Sequence, residues 1–212
     1  MSGSYDFEEQ ERIAELKAWW EDNRWYVVGA LVAAAVAFAG YRGWVYWKAS
    51  AAEDAAAMYQ PVDDALKAND AKKVPESAQA LIAKHPRSFF ASEAALVLAK
   101  SAFEAGKLDE ARKQLEWVTA NGAEEHRGIA RVRLAAILME QKKFDDALKT
   151  LDGNKDEAFV PLASDLRGDI MLAQGRIDEA RAAYKLAIDK SSPRNPVKNI
   201  AETKLNALGG AQ

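Results

Sequence analysis

The sequence predicts an all-α protein in which one N-terminal transmembrane helix is followed by an α-α hairpin solenoid and a C-terminal capping helix. Three observations carry that reading. A long apolar stretch is bounded at both ends by aromatic residues, one short motif recurs with a period of 33 to 36 residues, and the apolar content is dominated by Ala rather than by β-branched or aromatic types.

The anchor lies at residues 25–47. Between Trp25 and Tyr41 no residue is charged, and with Arg42 allowed the stretch reaches Trp47. At 1.5 Å per residue it spans roughly 34 Å, enough for a hydrocarbon core of about 30 Å. Five of the six Trp flank or end it: Trp19, Trp20, Trp25, Trp44 and Trp47. Amphipathic rings belong at membrane interfaces, whereas a buried soluble helix has no reason to collect them at its two ends. Arg42 lies close enough to the end to reach the headgroups along its own stem.

A cleavable signal peptide is the competing reading, because Ala37-Phe38-Ala39 mimics the small-x-small cleavage pattern. Against it stand the long acid-rich segment before the stretch and the second aromatic belt beyond the supposed cut. Within residues 1–24, Phe7, Ile13, Leu16, Trp19 and Trp20 recur at helical spacing, so an amphipathic segment leading into the membrane is expected. Arg12, Lys17 and Arg24 precede the span and Arg42 and Lys48 follow it, a three-to-two bias toward a cytoplasmic N-terminus. The reversed topology stays open on that count alone.

After residue 50 the chain repeats itself. Gly106-Lys107-Leu108-Asp109-Glu110-Ala111-Arg112 returns as Gly175-Arg176-Ile177-Asp178-Glu179-Ala180-Arg181, with a weaker copy at Lys142-Lys143-Phe144-Asp145-Asp146-Ala147-Leu148. The Ala positions are 36 and 33 residues apart. That period, with a helix on each side of the turn, marks the tetratricopeptide repeat, in which a small residue lets the two helices of a hairpin approach. Three such repeats fill residues 88–192. Their expected cores are Leu98, Ala99, Ala102, Leu115 and Val118, then Leu134, Ala135, Leu138 and Leu151, then Gly168, Met171, Tyr184 and Ala187. Arg131 and Arg167 replace the usual apolar residue and read as structural arginines.

Residues 48–87 form a divergent first hairpin that continues from the membrane helix without a flexible linker. Pro61 is expected to kink or restart its first helix, and a second helix runs from about Pro75 to Lys84, with Ser88 placed to cap the next. Residues 193–212 supply a capping helix and tail whose stripe is Val197, Ile200, Ala201, Leu205 and Leu208.

Composition excludes several kinds of function. The 29 basic and 32 acidic residues are interspersed, giving a formal charge of −3 and no nucleic-acid footprint. Without cysteine there is neither a thiol nucleophile nor a Cys-ligated metal. His85 and His126 lack metal-ligand spacing and are expected at the surface, no cofactor loop is present, and the acidic pairs opening each second helix suit the positive end of the helix dipole. The chain reads as a binder of proteins rather than an enzyme. Its expected binding surface is the concave wall made by first-helix positions that stay out of the core: Leu96, Lys100 and Phe103, then Val132, Ala136 and Met139, then Asp165, Asp169 and Leu172. In the alternative, Phe103, Val132, Met139 and Leu172 pack against the terminal helix or the first hairpin.

Several stretches taken in order resemble the YfgM family, an ancillary subunit of the SecYEG translocon. They are Tyr5-Asp6-Phe7-Glu8-Glu9-Gln10, Leu16-Lys17-Ala18-Trp19-Trp20 before one span, Leu115-Glu116-Trp117, Arg133-Leu134-Ala135, Leu166-Arg167-Gly168-Asp169-Ile170, Ala180-Arg181 to Tyr184, and Lys204-Leu205. The resemblance implies a single-pass bacterial inner-membrane protein with a cytoplasmic N-terminus and a periplasmic repeat domain. It also implies partners: the SecYEG translocon, a PpiD-like periplasmic chaperone and unfolded exported proteins. It brings no catalytic residues.

Overall fold

A computed structural model describes residues 3–68, 70, 72–154 and 156–209, with side chains from residue 11 onward. Tyr5 to Gln10 and Phe7, which enter the sequence reading, thus have no described side chains. Among the described residues there are nine α-helices, one 3-10 turn and no strand. The chain divides into two compact units, residues 1–51 and 52–212.

The first unit consists of helix α1 (Gly3–Lys67) as far as Ala51. It is long and apolar enough to cross a bilayer, and its most apolar stretch is 0% buried. Leu31, Val32, Val36 and Phe38 are all more than half exposed, so no protein surface covers them as it would cover a soluble core helix. The rings at the two ends are open as well. Arg24 lies 5.8 Å from the Trp25 ring, and Lys48 lies 5.3 Å from that of Trp44.

The second unit begins with the rest of α1 and continues through α2 (Lys73–Lys84), α3 (Phe89–Glu104), α4 (Leu108–Asn121), α5 (Glu124–Glu140), α6 (Phe144–Asp152), the 3-10 turn Glu157–Phe159, α7 (Val160–Ala173), α8 (Ile177–Lys190) and α9 (Pro196–Ala207). Pro61 does not restart a helix, because α1 runs past it to Lys67. Pro61 and Ala57 are both exposed, so the backbone bond that Pro61 cannot donate is missing on a solvent-facing side of the helix. Ala55, Val62, Ala65, Val74, Ala78 and Leu81 close this first pair of helices over Ala94 and Leu98 of α3.

From α3 onward each helix packs on the next, α3 on α4, α5 on α6 and α7 on α8, with α4 and α6 also contacting α5 and α7. Ser88 caps α3 as expected, accepting from the Ala91 N–H at 3.0 Å. Ser92, buried one turn later, accepts from the Ala123 N–H at 2.7 Å and ties α3 to the start of α5.

The three hairpin turns share one hydrogen-bond pattern. Lys107 N–H donates to Ala102 at 2.8 Å and Gly106 N–H to Phe103 at 2.9 Å. Lys143 donates to Leu138 and Lys142 to Met139, and Arg176 donates to Met171 and Gly175 to Leu172, all between 2.8 and 2.9 Å. This helix ending requires a left-handed residue at its pivot. Gly106 and Gly175 supply it at φ of 74° and 76°, but in the middle repeat the pivot is Lys142 at 58°. A lysine held there costs stability that glycine does not. Within the third hairpin the opposite requirement holds: a Cβ on Gly168 would lie 2.3 Å from the Tyr184 ring.

These two sites predict opposite outcomes in urea unfolding of the purified full chain. Lys142→Gly raises stability by about 0.5–1 kcal/mol. Gly168→Ala lowers it by roughly 1–3 kcal/mol, because the Tyr184 ring must leave its seat.

Candidate protein-binding surface

The nine residues expected on the concave wall have four different fates. Leu96 and Val132 are in the core, each 5% exposed, which corrects the expectation that they stay out of it. In a stacked array a first helix is flanked by its own partner and by the neighbouring repeat, so residues on both flanks are buried. Ala136 and Met139 are half-buried and pack against the same core. Lys100, Phe103 and Leu172 are open to solvent.

Asp165 and Asp169 are held by the capping helix. Lys204 on α9 donates to Asp165 Oδ2 at 2.8 Å and to Asp169 Oδ2 at 2.7 Å, and its ammonium lies 5.6 Å from the ring of Tyr184. Tyr184, fully buried, donates its hydroxyl to Asp169 Oδ1 at 2.8 Å. Burial raises the Asp165 carboxyl above its ordinary range against the pull of Lys204. Burial also works against the Lys204 ammonium, yet its bonds to Asp165 and Asp169 outweigh that and raise its pKa. The Tyr184 phenol is raised strongly, first by burial and then by its bond to Asp169.

What stays open or half-open is an apolar row with one member per repeat. Phe103, Met139 and Leu172 each stand three residues before the left-handed pivot of their turn, so the turn geometry places them at equivalent points. Phe103 is 49% and Leu172 38% exposed. A second opening, which the sequence did not reveal, is a cleft lined by Leu66, Val74, Leu98 and Ala102 with Lys107 and Glu110 among its polar residues. Its apolar lining comes from helices on both sides of the first repeat boundary, and no local periodicity joins Leu66 or Val74 to Leu98.

The histidines are not plain surface residues. His126 is 9% exposed, with Nε2 3.0 Å from Glu93 and its ring 4.4 Å from that of Phe89. His85 Nε2 lies 2.8 Å from Asp54, which also pairs with Lys84 at 2.6 Å. These hydrogen bonds hold the Asp54 carboxyl below the usual carboxylate range. Arg167 and Arg131 are both half-buried; Arg167 pairs with the exposed Asp152, and the Arg131 side chain lies near Gly153. Ala201 and Leu205 on α9 are buried, Val197 and, just past its end, Leu208 are half-buried, but Ile200 is 48% exposed and leaves the expected stripe.

The α9 clasp makes stability fall in alkali. Tyr184 and Lys204 both keep their protons to higher pH when folded than when unfolded, so their contribution is whole below pH about 10 and is lost as pH rises through their folded values. Thermal unfolding followed by circular dichroism between pH 8 and pH 11.5 is expected to show a falling midpoint above about 10. Tyr184→Phe makes that fall shallower while costing ~1 kcal/mol at neutral pH for the lost hydrogen bond. An unchanged slope in the variant contradicts the assignment.

The comparisons agree on kind. A family model described as a tetratricopeptide repeat-like domain matches residues 17–210. A Neisseria gonorrhoeae protein named ancillary SecYEG translocon subunit is 29% identical over 95% of this chain and 97% of its own length. An Escherichia coli protein of the same name is 25% identical over 94% and 96%, and one from Haemophilus influenzae is 29% identical over 97% and 100%. With the repeat model covering nearly all of the chain, this protein belongs to the tetratricopeptide repeat-like domain family, and along nearly its whole length it is similar to proteins named ancillary SecYEG translocon subunit.

Proposed function

We propose that this protein is a membrane-anchored ancillary subunit of the Sec translocon, with its repeat array in the periplasm, where it binds newly exported polypeptides beside the translocon and a PpiD-like chaperone. The full-length similarity to relatives named ancillary SecYEG translocon subunit is the observation that carries the partner assignment. The repeat family is built for protein binding, and the apolar helix supplies the tether.

The row Phe103, Met139 and Leu172 suits an unfolded client. A chain in transit exposes apolar side chains without fixed structure. One half-open apolar contact per repeat offers each of them about 25 cal/mol per Å² buried, with no demand for a single sequence. Lys100, whose side chain is 71% exposed and only loosely paired with Glu104 at 3.8 Å, adds a charge beside Phe103.

The chain has no cysteine of its own, so Phe103→Cys and Leu172→Cys each introduce a single reactive thiol. In intact membranes, crosslinkers at these positions are expected to capture secreted chains or translocon subunits, while exposed Lys113→Cys on α4 captures neither. Crosslinks equal at all three positions, or absent from both wall positions, defeat the client reading. For topology, a phosphatase fused after Gln212 is expected to be active, since it folds only outside the cytoplasm. An inactive fusion, stable in the cytosol, overturns the periplasmic placement.

A further inference from the structure

Within residues 11–24, just before the span, the charges are sorted around the helix. Among residues 11–24 of α1, Ile13, Leu16 and Trp20 are 53%, 65% and 46% exposed. At ~100° per residue they fall within about 60° of one another, a single narrow apolar stripe, while Trp19, 53% exposed and expected on the same face, lies about 60° beyond its Leu16 edge. Arg12 lies about 40° beyond one edge of that stripe, and Lys17 and Arg24 lie within about 40° of the other. Glu11, Glu15, Glu21 and Asp22 all stand more than about 100° from its centre. Bases beside the stripe and acids opposite it do not follow from solubility, which any mixture of signs supplies.

We propose that residues 11–24 dock, stripe inward, on the anionic headgroup surface of the leaflet from which the span emerges. The basic flank selects an anionic occupant, and the distance along the chain selects lipid over protein. An upright helix carries Ile13 about 18 Å from Trp25 along the axis, whereas the headgroup layer beyond the hydrocarbon is only about 5–8 Å thick. Upright, the stripe stands in water. Laid over, Ile13, Leu16 and Trp20 enter the acyl boundary while Arg12, Lys17 and Arg24 reach phosphates on either side.

A second copy suits the stripe poorly, because a parallel partner would set the same bases against one another. Asn23 marks where the helix bends on docking. It is a weak helix former between stripe and span, and its side-chain amide already donates to the Trp19 carbonyl at 2.9 Å, competing with the backbone bond there.

The test uses the full chain in nanodiscs, with single cysteines spin-labelled at Ile13, Ala14, Leu16 and Ala18. In discs of phosphatidylcholine with phosphatidylglycerol, labels at 13 and 16 are expected to be shielded from a water-soluble nickel relaxant and open to oxygen, with the reverse at 14 and 18. Replacing Arg12, Lys17 and Arg24 by Gln weakens docking roughly fivefold per base removed. Discs of phosphatidylcholine alone lose the contrast in the same way. The proposal is overturned by equal nickel access at all four positions in anionic discs, by a contrast indifferent to lipid charge, or by protection seen in native membranes but not in discs, which would identify a protein partner. Unchanged thermal unfolding of the repeats confirms that the substitutions leave the second unit folded.

Discussion

Each of the three repeat hairpins closes on a fully buried alanine. Ala111, Ala147 and Ala180 stand in the first turn of α4, α6 and α8, and each is 0% exposed. Their small side chain lets the second helix approach the first closely enough for Leu115, Leu151 and Tyr184 to reach across. A larger residue there would push the helices apart and forfeit the contacts of everything beyond it, since dispersion weakens steeply with a gap of even half an ångström. The third hairpin carries the constraint further. Gly168 has given up its side chain so that the largest fully buried residue, Tyr184, can lie across α7 and present its hydroxyl to Asp169.

This constraint explains why so much of the fold can be read along the chain. A tight turn, a left-handed pivot, an acidic first helical turn and a small residue are all local requirements, so they recur as local text: Gly106 to Ala111, Lys142 to Ala147 and Gly175 to Ala180. Ser88 as a cap and the core set from Leu98 to Ala187 follow from the same frame. The anchoring helix is legible for an equally local reason, because apolar length and terminal rings need no partner to be recognised.

The wall residues were less legible because their surroundings come from far along the chain. Leu96 and Val132 satisfy the pattern of an open first-helix face, yet a neighbouring repeat covers them. His126 looked solvated until α3 brought Glu93 and Phe89 against it. Asp165 and Asp169 meet Lys204 across 39 and 35 residues of sequence, a separation at which no periodicity links them. A solenoid is one-dimensional in its contacts, but each contact spans a whole repeat, and side-chain periodicity carries no information over that distance.

The way the array ends follows from the same logic. Ala201 and Leu205 give α9 its apolar seat, but apolar burial is indifferent to small rotations of a helix about its axis. Lys204 is not indifferent. With two carboxylates on α7 at hydrogen-bond distance and the Tyr184 ring beneath, it has one rotation that satisfies all three. Removing the lysine would leave Asp165, already raised by burial and with one oxygen lacking a hydrogen-bond partner, beside Asp169 with no cation between them. The polar clasp therefore fixes the register of a helix that its short apolar seat alone would leave free to turn. It also takes two positions of the third repeat out of the expected concave wall, leaving Leu172 as the member of the apolar row nearest the closed end.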